Sequence, residues 1–169
     1  RAKGVEAESR PSKPYGAPDR GFGHQGYPAI GVASHAAEEF CRWLSEKTHH
    51  RYRLPGESEW ERASGMFVES RMRDVAWFAG NSMGKTHPVA KKKANQFGLY
   101  DMIGNAAEWC RTAEGGFAVR GGSYLDESAG PGSRQEYPED WQESDPKDPK
   151  SRWWLSAGPQ VGVRIVRGE

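Results

Sequence analysis

The chain has 169 residues with 24 Lys and Arg against 23 Asp and Glu, which leaves a formal net charge of +1. This balance excludes a whole-chain electrostatic footprint for nucleic acid, and no apolar run is long enough to span a membrane. Hydrophobic residues make up only 36% of the chain, but seven Trp, six Tyr and six Phe supply large buried areas from few side chains. The length therefore predicts one domain with its own core.

Residues 1–26 are rich in Gly, Pro, Ser and charge and follow no helical or strand period. We predict an extended arm or linker here, wrapped on the domain or on a partner. Residues 27–169 form the predicted domain. The 21 Gly and 11 Pro of the chain indicate that much of its backbone is turn and loop.

A first helix is predicted to start at Ser34, which caps it, and to run to about Thr48. Ala36, Phe40 and Leu44 repeat on one stripe of this helix. We expect this narrow apolar stripe to pack on the core.

A second helix is predicted to start at Pro55, and its acidic first turn suits the positive end of the helix dipole. Glu57, Glu59 and Glu61 are also candidates for acid-base chemistry. Acids at a helix start are usually structural, and we assign these three that role.

The stretch from Asn95 to Trp109 combines turn glycines, two separated carboxylates and apolar residues that follow no regular period. The apolar members, expected to point inward, are Phe97, Leu99, Met102, Ile103 and Trp109. Asp101 and Glu108 supply carboxylate oxygens, and the backbone between them can turn carbonyls toward the same point, a ligand set that Ca2+ accepts. The alternative is that both carboxylates only accept hydrogen bonds from backbone amides or from an Arg.

Four blocks of the chain, in order, resemble the formylglycine-generating enzyme (sulfatase-modifying factor) superfamily. The central block is Asn95-x-Phe-Gly-Leu-Tyr-Asp-Met-x-Gly-Asn-x-x-Glu-Trp109. The others are Arg53-Leu-Pro-Gly-Glu-Ser-Glu-Trp60, Arg120-Gly-Gly-Ser-Tyr124 and Val161-Gly-Val-Arg-Ile-Val166. Relative to the family, the strands that normally precede Tyr27 are missing or shortened.

The resemblance implies an α+β fold, a variant of the C-type lectin fold with little regular secondary structure and two helices packed on a small antiparallel sheet. It also implies one calcium ion, held at Asp101, Gly104, Ala106 and Glu108. Some relatives build a second calcium site with an acidic residue near a later proline-valine pair. In this sequence Lys91, Lys92 and Lys93 occupy that region. We therefore expect one calcium ion, and we interpret the lysines as a solvated turn.

In the sulfatase-activating relatives, the strand matching 120–124 is followed by two cysteines that hold Cu(I) and engage the substrate cysteine. Here Asp126 and Pro131 stand nearest those two positions. Thiolates are needed for a soft metal and for thiol exchange, so we expect no copper and assign no catalytic residue. Cys41 and Cys110 are the two cysteines of the chain. We favour burial as small hydrophobes for them over a disulfide, which the sequence leaves open.

The polar region that follows residue 128 carries large aromatic side chains, which dominate interface energetics. We predict a binding surface formed by Tyr137, Trp141, Trp153 and Trp154. The alternative is that the last two of these cover the core.

Residues 161–166 alternate as a final strand in the middle of the sheet, with Arg164 paired internally to a carboxylate.

The sequence thus favours a non-catalytic, calcium-stabilised module that acts as a protein-binding or structural subunit of a larger assembly. One alternative is a divergent oxidoreductase that converts cysteine to formylglycine. The other is a lectin-like or variable ligand-binding protein. A calcium site without a reactive cysteine pair favours a periplasmic or extracellular setting over the cytoplasm.

Overall fold

The computed structural model describes residues 19–136, 144–145, 148–152 and 158–168. Its helices within these ranges are α1 (Ser34–Thr48), α2 (Glu57–Ser64), a 3-10 helix (Glu69–Arg71), α3 (Met72–Val75) and α4 (Ala79–Ser82). Its strands are β1 (Tyr52–Arg53), β2 (Ala107–Arg111), β3 (Phe117–Arg120), β4 (Arg134–Glu136), β5 (Ser144–Asp145), β6 (Asp148–Arg152), β7 (Val161–Gly162) and β8 (Val166–Arg167). None of the described helices is both long enough and apolar enough to cross a bilayer.

Four strands form the main sheet in the order β4-β3-β2-β7. The pairs β2-β3 and β3-β4 are antiparallel, whereas β7 runs parallel to β2. Two small sheets pair β1 with β8 and β5 with β6. This mixture of helices and small sheets confirms the predicted α+β class, and the parallel β2-β7 pair is a local departure from an all-antiparallel sheet.

The first helix has the predicted limits, but Ser34 is its first helical residue and not its cap. Ala33 occupies the cap position, and the Ser34 hydroxyl is buried without a hydrogen-bond partner among the described residues. The expectation that Phe40 packs on the core is wrong, because this side chain is exposed and lies 5.8 Å from the Trp43 ring. The buried face of the helix consists of small side chains, which bring it too close to the sheet for a phenyl ring. The buried residues of this face are Ser34, Ala36, Ala37 and Cys41.

The second helix begins two residues later than predicted, and its three acids are structural, as predicted. The Glu59 carboxylate accepts a hydrogen bond from the Gly56 amide at 3.3 Å, which satisfies one free donor of the helix start. Glu57 and Glu61 form ion pairs with the buried guanidinium of Arg120 on β3. These contacts fasten α2 to the main sheet.

The prediction of one closing strand over 161–166 is wrong. Val161 and Gly162 pair with β2, whereas Val166 and Arg167 pair with β1 in another sheet. Gly162 lies between β2 and a bridge to Ile30, and a Cβ atom on it would lie 2.5 Å from the Ala29 carbonyl oxygen. The segment between β7 and β8 then places Arg164 beside Glu108 of β2.

The core consists of two clusters on opposite faces of β2. Trp109 belongs to the cluster under α1, and its indole nitrogen donates to the Val32 carbonyl at 2.8 Å. Cys110 belongs to the other cluster, together with Trp60 and Met102. This alternation is the period of two that a strand imposes. In the loop before β2, Met102 and Ile103 pack in the second cluster, whereas the polar residues Asp101 and Asn105 line a cavity.

Candidate functional site

A cavity of about 390 Å³ opens beside the loop that leads into β2. Its lining includes the carboxylates of Asp101 and Glu108 and the side chain of Arg164. Val89 and Tyr100, both exposed, line it on the solvent side. The cavity thus combines three charged side chains with an apolar entrance.

Four residues of this loop have left-handed backbone geometry, with φ of 77° at Gly98, 52° at Asp101, 71° at Gly104 and 61° at Asn105. A Cβ atom on Gly104 would lie 2.3 Å from the Trp77 carbonyl oxygen, so no larger residue fits there. The repeated left-handed residues curl the loop around the cavity.

Asn105 holds the curled loop in place. The side-chain oxygen of Asn105 accepts a hydrogen bond from the backbone N–H of His87 at 2.9 Å, and its side-chain nitrogen donates to the His87 carbonyl at 3.1 Å. The backbone N–H of Asn105 donates to the Trp77 carbonyl at 2.7 Å. Asn105 is fully buried, so these bonds satisfy polar groups that water cannot reach. Sequence reasoning missed this role, although a Gly-Asn pair is itself a turn signal.

Glu108 is held by four short contacts. Arg164 Nε lies 3.0 and 2.8 Å from the two carboxylate oxygens, and Arg164 Nη2 lies 2.8 Å from Oε1. The Trp60 indole nitrogen donates to Oε2 at 2.6 Å. The predicted internal pairing of Arg164 with a carboxylate is confirmed. The part played by Trp60 was missed, since no sequence pattern links residues 48 positions apart.

The Asp101 carboxylate has fewer hydrogen-bond partners than the Glu108 carboxylate. Its Oδ2 accepts from the Ala90 amide at 2.7 Å, but its Oδ1 is buried and has no hydrogen-bond partner among the described residues. Burial raises the pKa of this carboxyl, against the opposing effects of the Ala90 amide and the Arg164 charge. A buried carboxylate oxygen without a donor needs either a proton or a cation.

Three of the four predicted metal ligands, Asp101, Ala106 and Glu108, line this one cavity. Gly104 lies in the same loop, against Trp77. The unpaired oxygen of Asp101 fits a cation well. Glu108 fits it less well, because both of its oxygens already accept two hydrogen-bond contacts each.

The segment that matches the family's cysteine region forms a closed polar turn. The Asp126 carboxylate accepts from the Ser123 amide at 2.7 Å and from the Ser123 hydroxyl at 2.6 Å. That hydroxyl in turn accepts from the Leu125 amide at 3.2 Å. Asp126 therefore stabilises the turn, with hydrogen bonds in the place where the relatives have a thiol.

Cys41 and Cys110 are free and buried, one in each core cluster. The predicted burial is confirmed, and no disulfide joins them. Burial raises the pKa of Cys41 to about 11 and raises the pKa of Cys110 still further. Both thiols therefore stay protonated near neutral pH, whereas a metal ligand or a nucleophile must be a thiolate.

The lysines of residues 91–93 lie in a turn in which Lys91 and Lys93 are exposed, as predicted, and Lys92 is half-buried. Lys92 lies 4.0 Å above the Trp77 ring, whose other neighbour is His87, stacked at 3.7 Å. Lys93 forms an ion pair with Asp74 at 2.9 Å. A flat indole face attracts an ammonium group, which explains why the turn folds back on the domain.

The predicted aromatic binding surface at Tyr137, Trp141, Trp153 and Trp154 lies outside the described residues.

The family model described as "Sulfatase-modifying factor enzyme 1-like domain" matches residues 5–168. A serine/threonine-protein kinase of Chlamydia caviae is 36% identical over 93 residues, which cover 52% of this chain and 14% of the kinase. The formylglycine-generating enzyme of Mycobacterium tuberculosis is 32% identical over 107 residues, 52% of this chain and 34% of that enzyme.

A solved structure, Treponema denticola variable protein 1, superposes with a TM-score of 0.64 at 24% identity and covers 93% of this chain and 77% of that one. This likeness shows the fold alone. The chain spans well under half the length of the curated relatives named above. The match of nearly the whole sequence to one family model confirms the resemblance of the four motif blocks. The chain belongs to the sulfatase-modifying factor enzyme 1-like domain family.

Proposed function

We propose that this domain lacks oxidase activity and works as a calcium-stabilised binding or structural subunit of a larger assembly. The burial of both thiols is the observation that supports the lack of oxidase activity. The chain has two cysteines, both are buried in separate core clusters, and burial raises the pKa of both thiols. Neither meets the need of copper chemistry or thiol exchange for an accessible thiolate.

The polar turn at Ser123 and Asp126 supports the same conclusion. A carboxylate is a hard oxygen donor and binds Cu(I) poorly compared with a thiolate. The Asp126 carboxylate already accepts two hydrogen bonds from Ser123, so donors within the turn stabilise its negative charge. The turn supplies no sulfur that could form a bond with a substrate cysteine.

A direct assay tests the absence of oxidase activity. The protein would be incubated with Cu(I), oxygen and a peptide that carries a single cysteine, and new aldehyde would be captured with a hydrazide probe. We expect no aldehyde above the level without protein. Aldehyde that forms in proportion to protein concentration, and that disappears after heat denaturation, would contradict the proposal and favour the divergent oxidoreductase.

The calcium ion is the second part of the proposal. Asp101 would provide the principal charged ligand, through its unpaired Oδ1, and the family resemblance assigns the backbone carbonyls of Gly104 and Ala106 to the same ion. Glu108 would become a ligand of the ion only if it lost hydrogen bonds that it accepts from Arg164. A bound cation would supply the positive charge that the buried Asp101 carboxylate lacks, and so would stabilise the curled loop.

Calcium binding is tested by melting the protein with calcium and with a chelator. At a calcium concentration one hundred times Kd, a folded-state ligand contributes about 2.7 kcal/mol. In a domain of this size that corresponds to an increase in Tm of roughly 5–10 °C. The variant Asp101→Asn keeps an acceptor for the Ala90 amide and should lose this increase. The exposed Glu127→Gln is the matched control and should keep it. An unmutated protein that melts at the same temperature in calcium and in chelator would refute calcium stabilisation.

The binding role rests on the lack of a catalytic group and on the organisation of relatives. The matched segment makes up 14% of the Chlamydia caviae kinase, so domains of this kind occur within much longer proteins. A calcium-dependent fold without reactive thiols suits a periplasmic or extracellular compartment, which we propose here as well. Cell fractionation followed by detection of the chain tests that location, and recovery in the cytoplasmic fraction alone would contradict it.

A further inference from the structure

A second groove, of about 290 Å³, lies between the end of α2, the segment before α3 and the loop that leads to the calcium site. Its apolar lining includes Met66, Val68 and Leu99, with Met102 also in contact with it. The groove contains none of the positions at which the family resemblance places metal or thiol ligands, apart from the edge of Asp101. It is therefore a separate surface feature.

Large apolar side chains beside this groove are exposed to an unusual degree. The exposed fraction is 84% for Met66, 59% for Phe97 and 54% for Val68. Phe97 lies close to the segment that carries Met66, because a Cβ atom added to Gly65, the residue before Met66, would lie 3.4 Å from the Phe97 ring. The sequence predicted Phe97 to point inward, and that prediction is wrong. A cluster of exposed apolar side chains marks an interaction site more often than a single exposed side chain does.

Phe97 is presented by a turn that is tied to α2. The Asn95 side chain donates to the carbonyls of Ala63 and Ser64 at 2.7 and 3.0 Å. Its oxygen accepts from the amides of Phe97 and Leu99 at 2.9 and 3.1 Å. A fixed aromatic residue loses little conformational entropy when a partner covers it, which favours binding.

Two cations and two carboxylates line the groove, and one of the carboxylates, Asp101, is buried. Arg71 and Lys93 line it together with one exposed carboxylate, Asp74. Hydrogen bonding to Lys93, followed by the charges of Lys93, Arg71 and Lys92, lowers the pKa of Asp74. Three cations thus surround one carboxylate. Arg71 has no side-chain ion pair among the described residues and remains available to an outside anion.

We propose that this groove, lined by Met66, Val68 and Arg71 with the exposed Phe97 beside it, binds an acidic segment of a partner protein that also carries apolar side chains. The apolar side chains of the segment would occupy the groove, and a carboxylate would pair with Arg71. Arg71 decides the kind of partner, because an acidic segment can pair with this cation, whereas a basic segment would place like charges together. Met66 is suited to such a contact, since its flexible thioether adapts to the shape of its partner. This inference rests on the proposed binding role.

The four methionines of the chain allow a direct test. The protein, with isotope-labelled methionine methyl groups, would be titrated with a short synthetic peptide of alternating Glu and Leu and, separately, with its Lys and Leu counterpart. We expect the acidic peptide to shift the signals of Met66 and Met102. Met83 is 78% exposed and does not line the groove, so its signal is the internal control. The Lys and Leu peptide should shift none of them.

The variant Arg71→Glu should weaken binding of the acidic peptide about tenfold, the effect of losing one good charge pair. Lys85→Glu, an equal charge change at an exposed site outside the groove, should leave the affinity unchanged. The proposal fails if the acidic peptide shifts Met83 as much as Met66, or if both variants lose affinity equally. A Met66 signal that moves with protein concentration and not with peptide would instead assign the groove to a second copy.

Failure of this site can be distinguished from failure of the binding role itself. A native complex that survives Arg71→Glu and Met66→Ser unchanged would refute the groove and leave the binding role intact. Absence of any complex for the unmutated protein would refute the binding role.

Discussion

Replacing Arg164 with Gln removes three of the four short contacts to the Glu108 carboxylate and leaves only the indole of Trp60. The Glu108 side chain is 8% exposed, so its charge becomes buried and poorly paired. Removing one partner of a buried pair costs about 3–5 kcal/mol. The Arg164 side chain is 29% exposed, and solvent screening reduces the expected loss to about 2–4 kcal/mol. In a domain of this size that lowers Tm by roughly 5–15 °C.

The assay is chemical denaturation in a chelator, so that calcium does not replace the lost charge. Arg167→Gln is the matched control, because Arg167 is an exposed residue at the end of the chain and should change stability by less than about 0.5 kcal/mol. Glu108→Gln, measured alone and together with Arg164→Gln, completes a double-mutant cycle that isolates the coupling between the two residues.

Two results would refute the reasoning. Equal stability of Arg164→Gln and Arg167→Gln would mean that the ion pair contributes nothing. A coupling energy near zero in the cycle would mean that any loss comes from packing around Arg164 and not from the charge of Glu108.

Three further predictions follow from single contacts. Gly104→Ala should cost at least about 2 kcal/mol, because a Cβ atom would lie 2.3 Å from the Trp77 carbonyl oxygen at a φ of 71°; equal denaturation midpoints would contradict this. The thiols of Cys41 and Cys110 should react with a disulfide reagent at pH 8 only after unfolding, because both are buried. Fast reaction of either thiol in the folded protein would be inconsistent with that burial. In chelator, stability should fall as pH rises above about 4, because the folded state raises the pKa of Asp101 and so binds its proton more tightly than the unfolded state. Asp101→Asn should remove that part of the pH dependence, and an unchanged profile would contradict the assignment.

Features that depend on nearby residues were largely predictable from the sequence. The limits of the first helix and the structural role of the acids on the second follow from local pattern and helix electrostatics. The loop motif predicted one calcium ion at Asp101, Gly104, Ala106 and Glu108; three of these four residues line one cavity, and the binding of the ion stays a prediction. These predictions succeed because each rests on short spacing within one element or on one shared motif.

Features that depend on distant contacts were not predictable. Phe97 has the composition of a core residue, but hydrogen bonds from Asn95 to the end of α2 turn it outward. The predicted closing strand is divided because Val161 pairs with β2 and Val166 pairs with β1, two strands that lie far apart in the sequence. Phe40 falls on an apolar stripe, yet the small residues beside it set the distance between helix and sheet. The period of apolar residues indicates which face of a helix or strand is apolar, but it does not indicate how closely that face packs on the neighbouring element.

We propose that the domain is a subunit of an assembly and not an enzyme that acts alone. The most direct test is the native mass of the protein extracted gently from its source, with every co-migrating chain identified. We predict that it migrates in fixed ratio with at least one other protein. Migration as a free single chain, without any stable partner in calcium or in chelator, would contradict the account.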